Sequence, residues 1–150
     1  MKLIITIILA AVMMLSVISC NDGKAPENST PAVQQGSDSP IDATGLWATA
    51  KYLKDTTVGE GAKTVLVDIE ADGKKITLTI KTDKATLGEA LFELGIINDA
   101  SFFDTANGFK ADWGTDQAYW GFYKGEDYMM VGVNDAQISG GEHYRLVYTK

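Results

Sequence analysis

From Lys63 to Lys84 the chain reads "KTVLVDIEADGKKITLTIKTDK", and its apolar positions fall on every second residue. Val65, Val67 and Ile69 alternate with Leu66 and Asp68, and Ile76, Leu78 and Ile80 alternate with Thr77 and Thr79. A period of two is the signature of strands with one apolar face. The Asp-Gly pair in "ADGK" marks a tight turn, so the segment predicts an antiparallel hairpin. The period then lengthens. In "TLGEALFELGI", Leu87, Leu91 and Leu94 lie on one face of a helix. Thr86 with Glu89 forms a capping box at its start, and Gly95 suits a left-handed end. This short helix is expected to cross the apolar face of the hairpin.

The remaining pattern is more broken. "SFFDTANGFKADW" holds Asn-Gly at 107–108 and predicts short strands near 101–106 and 109–112. "GTDQ" reads as a loop. "AYWGFY" and "YMMVGV" read as a second hairpin around "KGED", and "HYRLVYT" as a last strand with Tyr144, Leu146 and Tyr148 alternating against Arg145 and Val147. Hairpin, helix and further strands predict an α+β domain, β-grasp-like, with one short helix on a mixed or antiparallel sheet. "DTTVGEGA", before the first strand, lacks the lysine of a phosphate-binding loop.

The N-terminal region changes what is counted as fold. "MKLIITIILAAVMMLSVISC" has one positive residue, Lys2, then an uncharged apolar run and small Ser19 before Cys20. That is the layout of a secretory signal peptide rather than of a membrane span. "VISC" resembles a bacterial lipobox. The resemblance implies a lipoprotein signal peptide at 1–19 and diacylglycerol on Cys20, anchoring the protein to the cell membrane on its extracellular side. Cys20 is the only cysteine, so no disulfide forms within the chain. Residues 20–43 carry all three prolines with Ser, Asn, Gln and Gly, and are expected to be a flexible tether. Residues 44–150 are the folding domain, long enough for one core. The net charge is −7, and loss of Lys2 with the signal peptide makes it −8, which argues against nucleic acid and anionic lipid surfaces.

The run "TDKATLGEALFELGII … YWGFYKGE … GV … GGEHYRLVYT" resembles a bacterial lipoprotein domain of unknown function related to the C-terminal β-domain of transcobalamin and intrinsic factor. Thr86 to Leu91, Tyr119-Trp120, Gly132-Val133 and Gly141-Glu142 carry the likeness. In the vertebrate carriers the related domain covers one face of cobalamin while a helical domain holds the other. The helical domain, with the histidine that ligates cobalt, has no counterpart in this sequence. The resemblance implies a corrinoid ligand.

Along the aromatic strand, Trp120 and Phe122 share one face and are assigned to the core with Leu87, Leu91 and Leu94. Tyr119 and Tyr123 share the other face and flank Gly121, which leaves a flat gap for a planar ligand. With Tyr128 and Met130 on the neighbouring strand they form the candidate ligand site; cross-strand packing is the competing reading. His143 lacks companions for a metal site and is expected at a strand edge. Asp99, Asp104, Asp112 and Asp116 cluster around the second turn, but they lack the Asp-x-Asp-x-Asp spacing of a calcium loop and read as a solvated acidic surface. No nucleophile elbow, Ser-His-Asp set or zinc signature is recognisable, so no enzyme, cofactor or metal is expected. Two functions follow: a surface lipoprotein binding a small molecule, corrinoid first, for a transporter or second surface protein; or a protein-docking or adhesion module whose aromatic edge pairs with another chain.

Overall fold

The alternating segments of the sequence become strands. The structure, a computed structural model, describes residues 39–150; the expected signal peptide, Cys20 and the tether up to residue 38 lie outside the described residues. Strands β1 (Thr56–Gly59), β2 (Lys63–Ala71), β3 (Lys74–Thr82), β6 (Tyr119–Lys124), β7 (Asp127–Tyr128) and β8 (His143–Thr149) form one mixed sheet in the order β1-β3-β2-β8-β6-β7. β4 (Thr105–Ala106) and β5 (Phe109–Lys110) form a separate small antiparallel pair. Two short helices complete the domain, α1 (Leu87–Glu93) and α2 (Trp113–Asp116), with a 3₁₀ turn at Gly45–Thr49. This is the expected α+β organisation.

Local chemistry explains the clearest elements. β2 and β3 pair from Lys63↔Thr82 to Ala71↔Lys74, and the turn between them places both Asp72 (φ 54°) and Gly73 (φ 68°) in the left-handed region. Two successive positive φ values make a turn whose twist matches the strands, and Asp-Gly tolerates it. Asn107 (φ 50°) and Gly108 (φ 88°) repeat the device between β4 and β5. In α1 the Thr86 hydroxyl accepts the Glu89 N–H, and the Glu89 carboxylate accepts the Thr86 N–H, each at 3.3 Å. The helix ends at Gly95 (φ 59°), and the Lys51 ammonium donates to the end carbonyls of Leu94, at 2.6 Å, and Gly95, at 3.3 Å. A cation there also opposes the helix dipole.

One face of the sheet carries the core. Val65, Val67, Ile69, Ile76, Leu78 and Ile80 are buried against Leu87, Ala90 and Leu91 of α1. The last strand in sequence, β8, lies inside the sheet, parallel to β2 and antiparallel to β6, and sends Tyr144 and Leu146 into the same core. Leu94, the residue that ends the helix, is half-buried and packs against this core.

Four expectations change. The hairpin at 119–133 is short on one side: β7 pairs only Tyr128 and Asp127 with β6, and one further bond joins the Met129 N–H to the Phe122 carbonyl at 2.9 Å. The chain then leaves the sheet, and Val133, Ala136 and Ile138 are buried in the core beside the start of α1. The free N–H groups of the first helical turn explain the detour. Leu87 donates to Ala136 at 2.9 Å and Gly88 to Val133 at 2.8 Å, which pairs donors that a helix cannot satisfy itself. Gly88 permits the close approach, because a Cβ there would stand 3.0 Å from both Cα and N of Asn134. Second, residues 101–104 are not strand, and β4 and β5 keep two residues each. Third, "GTDQ" is mostly helical: Asp112 caps α2 by accepting the Thr115 N–H at 3.1 Å. Fourth, "DTTVGEGA" contains β1, paired in parallel with β3.

The segment before β1 is tied to the domain. The Ile41 N–H donates to the Leu53 carbonyl at 2.6 Å. Trp47 is fully buried, its indole N–H bonded to the Ala71 carbonyl at 3.1 Å.

Candidate functional site

The aromatic residues around β5, α2 and the start of β6 gather into an inner cluster and an outer pair at the surface. Inside, Trp47 meets Phe109 edge-on at 5.0 Å, and Phe109 stacks on Trp120 at 6.2 Å with planes 13° apart. Trp120 in turn touches Tyr148 edge-on at 5.5 Å and Phe103 at 6.4 Å. Outside, Trp113 on α2 and Tyr119 on β6 stand 6.2 Å apart with planes at 63°. Trp113 is 67% exposed, Tyr119 45% and Phe102 85%. Between these rings lies a groove of about 470 Å³ that also reaches Phe103 and Trp120. The short α2 makes it: its Asp112 cap and the left-handed Gln117 (φ 55°) fold the chain back, so Trp113 returns to face the strand it precedes. The Trp120 indole N–H is buried and has no hydrogen-bond partner among the described residues.

The charged groups on the groove are Asp104, Lys110 and Asp112. Asp104 accepts from the Asn98 amide at 2.8 Å and the Thr105 hydroxyl at 2.7 Å, with the Lys110 ammonium 3.8 Å away. The four carboxylates read as a cluster in the sequence are occupied separately. Asp99 accepts the amides of Phe102 and Ser101, which hold its carboxyl below the ordinary value, and Asp116 pairs with Lys150 at 3.2 Å. Among the described residues no three His, Cys, Asp or Glu side chains converge where a metal ion would sit.

The structure divides the residues singled out in the sequence. Trp120 and Phe122 share a face. Phe122 is buried and stacks on Tyr144 at 5.6 Å, while Trp120 is half-buried and also forms groove wall. Tyr119 lines the groove. Tyr123 does not: four residues along a strand is roughly 13 Å. Its ring lies over Gly121 instead, and a Cβ added to Gly121 would be 2.9 Å from Tyr123 Cε2. The space that glycine leaves is thus filled by Tyr123 itself. Tyr123 also meets Tyr128 edge-on at 5.2 Å, beneath the Arg145 guanidinium at 5.3 Å. Met130 is 90% exposed and lines no part of the groove. Phe102, Phe103 and Trp113 escape the sequence pattern, because a strand at 101–106 and a loop at "GTDQ" would keep them apart.

The outer face of the sheet is closed by charge. Arg145 on β8 holds Glu70 with both ends of its fork, at 2.6 and 3.1 Å, and Glu126 at 3.0 Å. The bond to Glu70 raises the guanidinium beyond its ordinary value. Next to it, buried Asp68 accepts from Thr77 at 2.7 Å and Lys75 at 3.2 Å, and lies 3.1 Å from His143 Nε2. His143 therefore sits at the start of an interior strand rather than at a sheet edge. These groups border a smaller hollow of about 250 Å³ in which opposite charges already face each other.

Among the described residues no helix is long and apolar enough to cross a membrane. No protein-family model and no curated protein matches the chain. Among solved structures, the chain is similar to a protein of Ruminococcus gnavus ATCC 29149 provisionally described as metal binding, at 22% identity and TM-score 0.55, over 59% of this chain and 98% of that one. A second similar structure is haptocorrin in complex with Cbi, at 11% identity and TM-score 0.47, over 62% of this chain and 26% of that one. The first of these likenesses shows that the fold is one the R. gnavus protein shares.

Proposed function

We propose that the domain is a non-catalytic binding module that takes a flat, partly apolar small molecule into the aromatic groove, with corrinoid the leading ligand. The groove carries the proposal. Three large aromatic side chains stand in water around a concavity that also reaches the inner aromatic cluster through Phe103 and Trp120, an arrangement suited to stacking on a planar body. Corrinoid is favoured by the sequence resemblance to the transcobalamin β-domain. A corrinoid is a macrocycle that brings its own metal, which accords with a structural neighbour described as metal binding and needs no cluster of ligating side chains. The groove is open on one side, so a second surface protein or transporter would complete the enclosure and raise the affinity. Lipid on Cys20 would hold the domain at the extracellular side of the cell membrane, the tether lifting it clear. On that reading Cys20→Ser releases the protein from membranes or leaves it unprocessed.

An absorbance titration of the purified protein with cobalamin and cobinamide tests the ligand. The expected result is a spectral shift that Trp113→Ala and Tyr119→Ala each weaken roughly tenfold, a loss of stacking worth about 1.4 kcal/mol. Tyr123→Ala should leave binding unchanged, because its ring is engaged with Gly121 and Tyr128. Absence of any shift at millimolar corrinoid, alone or with membrane fractions, would favour the docking-module reading of the same surface.

A further inference from the structure

The charge around the groove bears on which ligands it selects, if the groove is the small-molecule site proposed above. We infer that it prefers an organic cation with a flat apolar body, and that Asp104 and Asp112 set this preference. Four observations combine. Aromatic side chains form much of the wall, and an aromatic ring attracts a cation over its face. Two carboxylates and one ammonium border the groove, a net negative site in a chain of net charge −7. Asp112 spends Oδ1 on the α2 cap, where it accepts the Thr115 N–H at 3.1 Å, which leaves Oδ2 for a ligand. The Lys110 ammonium is 3.8 Å from Asp104 Oδ2, beyond direct hydrogen-bond distance, and that lysine side chain is largely exposed, so it yields readily to another cation.

An anionic ligand meets the opposite conditions. It would lie against two carboxylates, with Lys110 as its sole cation among the groove residues. The other lysine near α2, Lys150, is engaged with Asp116. A neutral planar ligand would gain the stacking alone. The groove thus ranks ligands of one shape by charge: cation, then neutral, then anion.

Three probes with one ring system isolate that ranking: N-methylquinolinium, quinoline and quinoline-2-carboxylate, cationic, neutral and anionic at about pH 8. Binding is read by calorimetry and by the indole N–H resonances of Trp113 and Trp120. We expect the cation to bind about fivefold or more tighter than quinoline, and the anion weakest, with the preference shrinking in high salt. Asp104→Asn with Asp112→Asn should erase most of the gap between the cation and quinoline. Asparagine keeps the acceptor that caps α2, so the variant retains its fold. Trp113→Ala should weaken all three probes. Equal binding of the three, or tightest binding of the carboxylate, overturns the charge preference and leaves the groove as a binding site. No binding of any probe at millimolar concentration, with unmoved indole resonances, overturns both.

Discussion

Replacing Trp47 by alanine should destabilise the domain more than any change at its aromatic surface. The side chain is fully buried in the hydrophobic core and meets Phe109 edge-on. A buried Trp removes about 200 Å² from water, worth up to about 5 kcal/mol at roughly 25 cal/mol per Å². Loss of the indole N–H also strips the Ala71 carbonyl of that donor, at about 1 kcal/mol. Partial collapse of the cavity returns some of this, so truncation should cost about 4 kcal/mol, within the usual range for Trp→Ala. A domain of this size has about 5–15 kcal/mol in all, and the melting temperature should fall by on the order of 20 °C. Urea unfolding followed by far-ultraviolet circular dichroism gives the number, with the m-value as a check that the same surface unfolds. Trp47→Phe keeps an aromatic ring and loses the N–H, so it should recover more than half of the loss. A Trp47→Ala protein within about 1 kcal/mol of the parent would show that residues 44–50 contribute little, and that the core closes without them.

Arg145→Ala leaves Glu70 and Glu126 facing each other without their shared cation and should cost about 1–2 kcal/mol in urea unfolding. Arg145→Lys should restore only part, since lysine cannot grip Glu70 with two N–H groups; equal stability of all three proteins would show that the cluster is merely tolerated. For Glu142, burial pushes the carboxyl up, yet the amides of Ser139 and Gly140 with the Lys124 charge hold it below its ordinary value of 4.5. A carboxyl with a lowered folded pKa contributes stability above its unfolded value and loses it as pH falls through the folded one. Glu142→Gln should therefore flatten the acid limb of the stability curve below about pH 5, lowering stability near neutrality and changing it little at the acid end, where the parent carboxyl is protonated too; an unchanged slope would refute the assignment.

Legibility follows the range of the interactions involved. β2, β3 and α1 can be read from the sequence because each is fixed by contacts within its own segment: alternation, an Asp-Gly turn, a capping box, a terminal glycine. β1 cannot, because its four residues carry one branched apolar side chain, Val58, and it exists only by pairing with β3. The run from Met129 to Val133 shows the same limit from the other side. It has the composition of a strand, but the open N–H groups of α1 compete for it and win, since a bare helix end costs more than an unextended edge strand.

The candidate site divides along the same line. Strand alternation places Tyr119 with Tyr123 on one face and Trp120 with Phe122 on the other. Which ring stands free is a tertiary matter, decided by what lies beside each. Tyr123 has a glycine two residues back and a guanidinium above, so its ring lies down. Tyr119 has Trp113 opposite it, held there by a helix too short to show a period. Between β5 and β6 the Asp112 cap and the left-handed Gln117 reverse the chain, and that reversal, not the spacing of the aromatics, builds the groove.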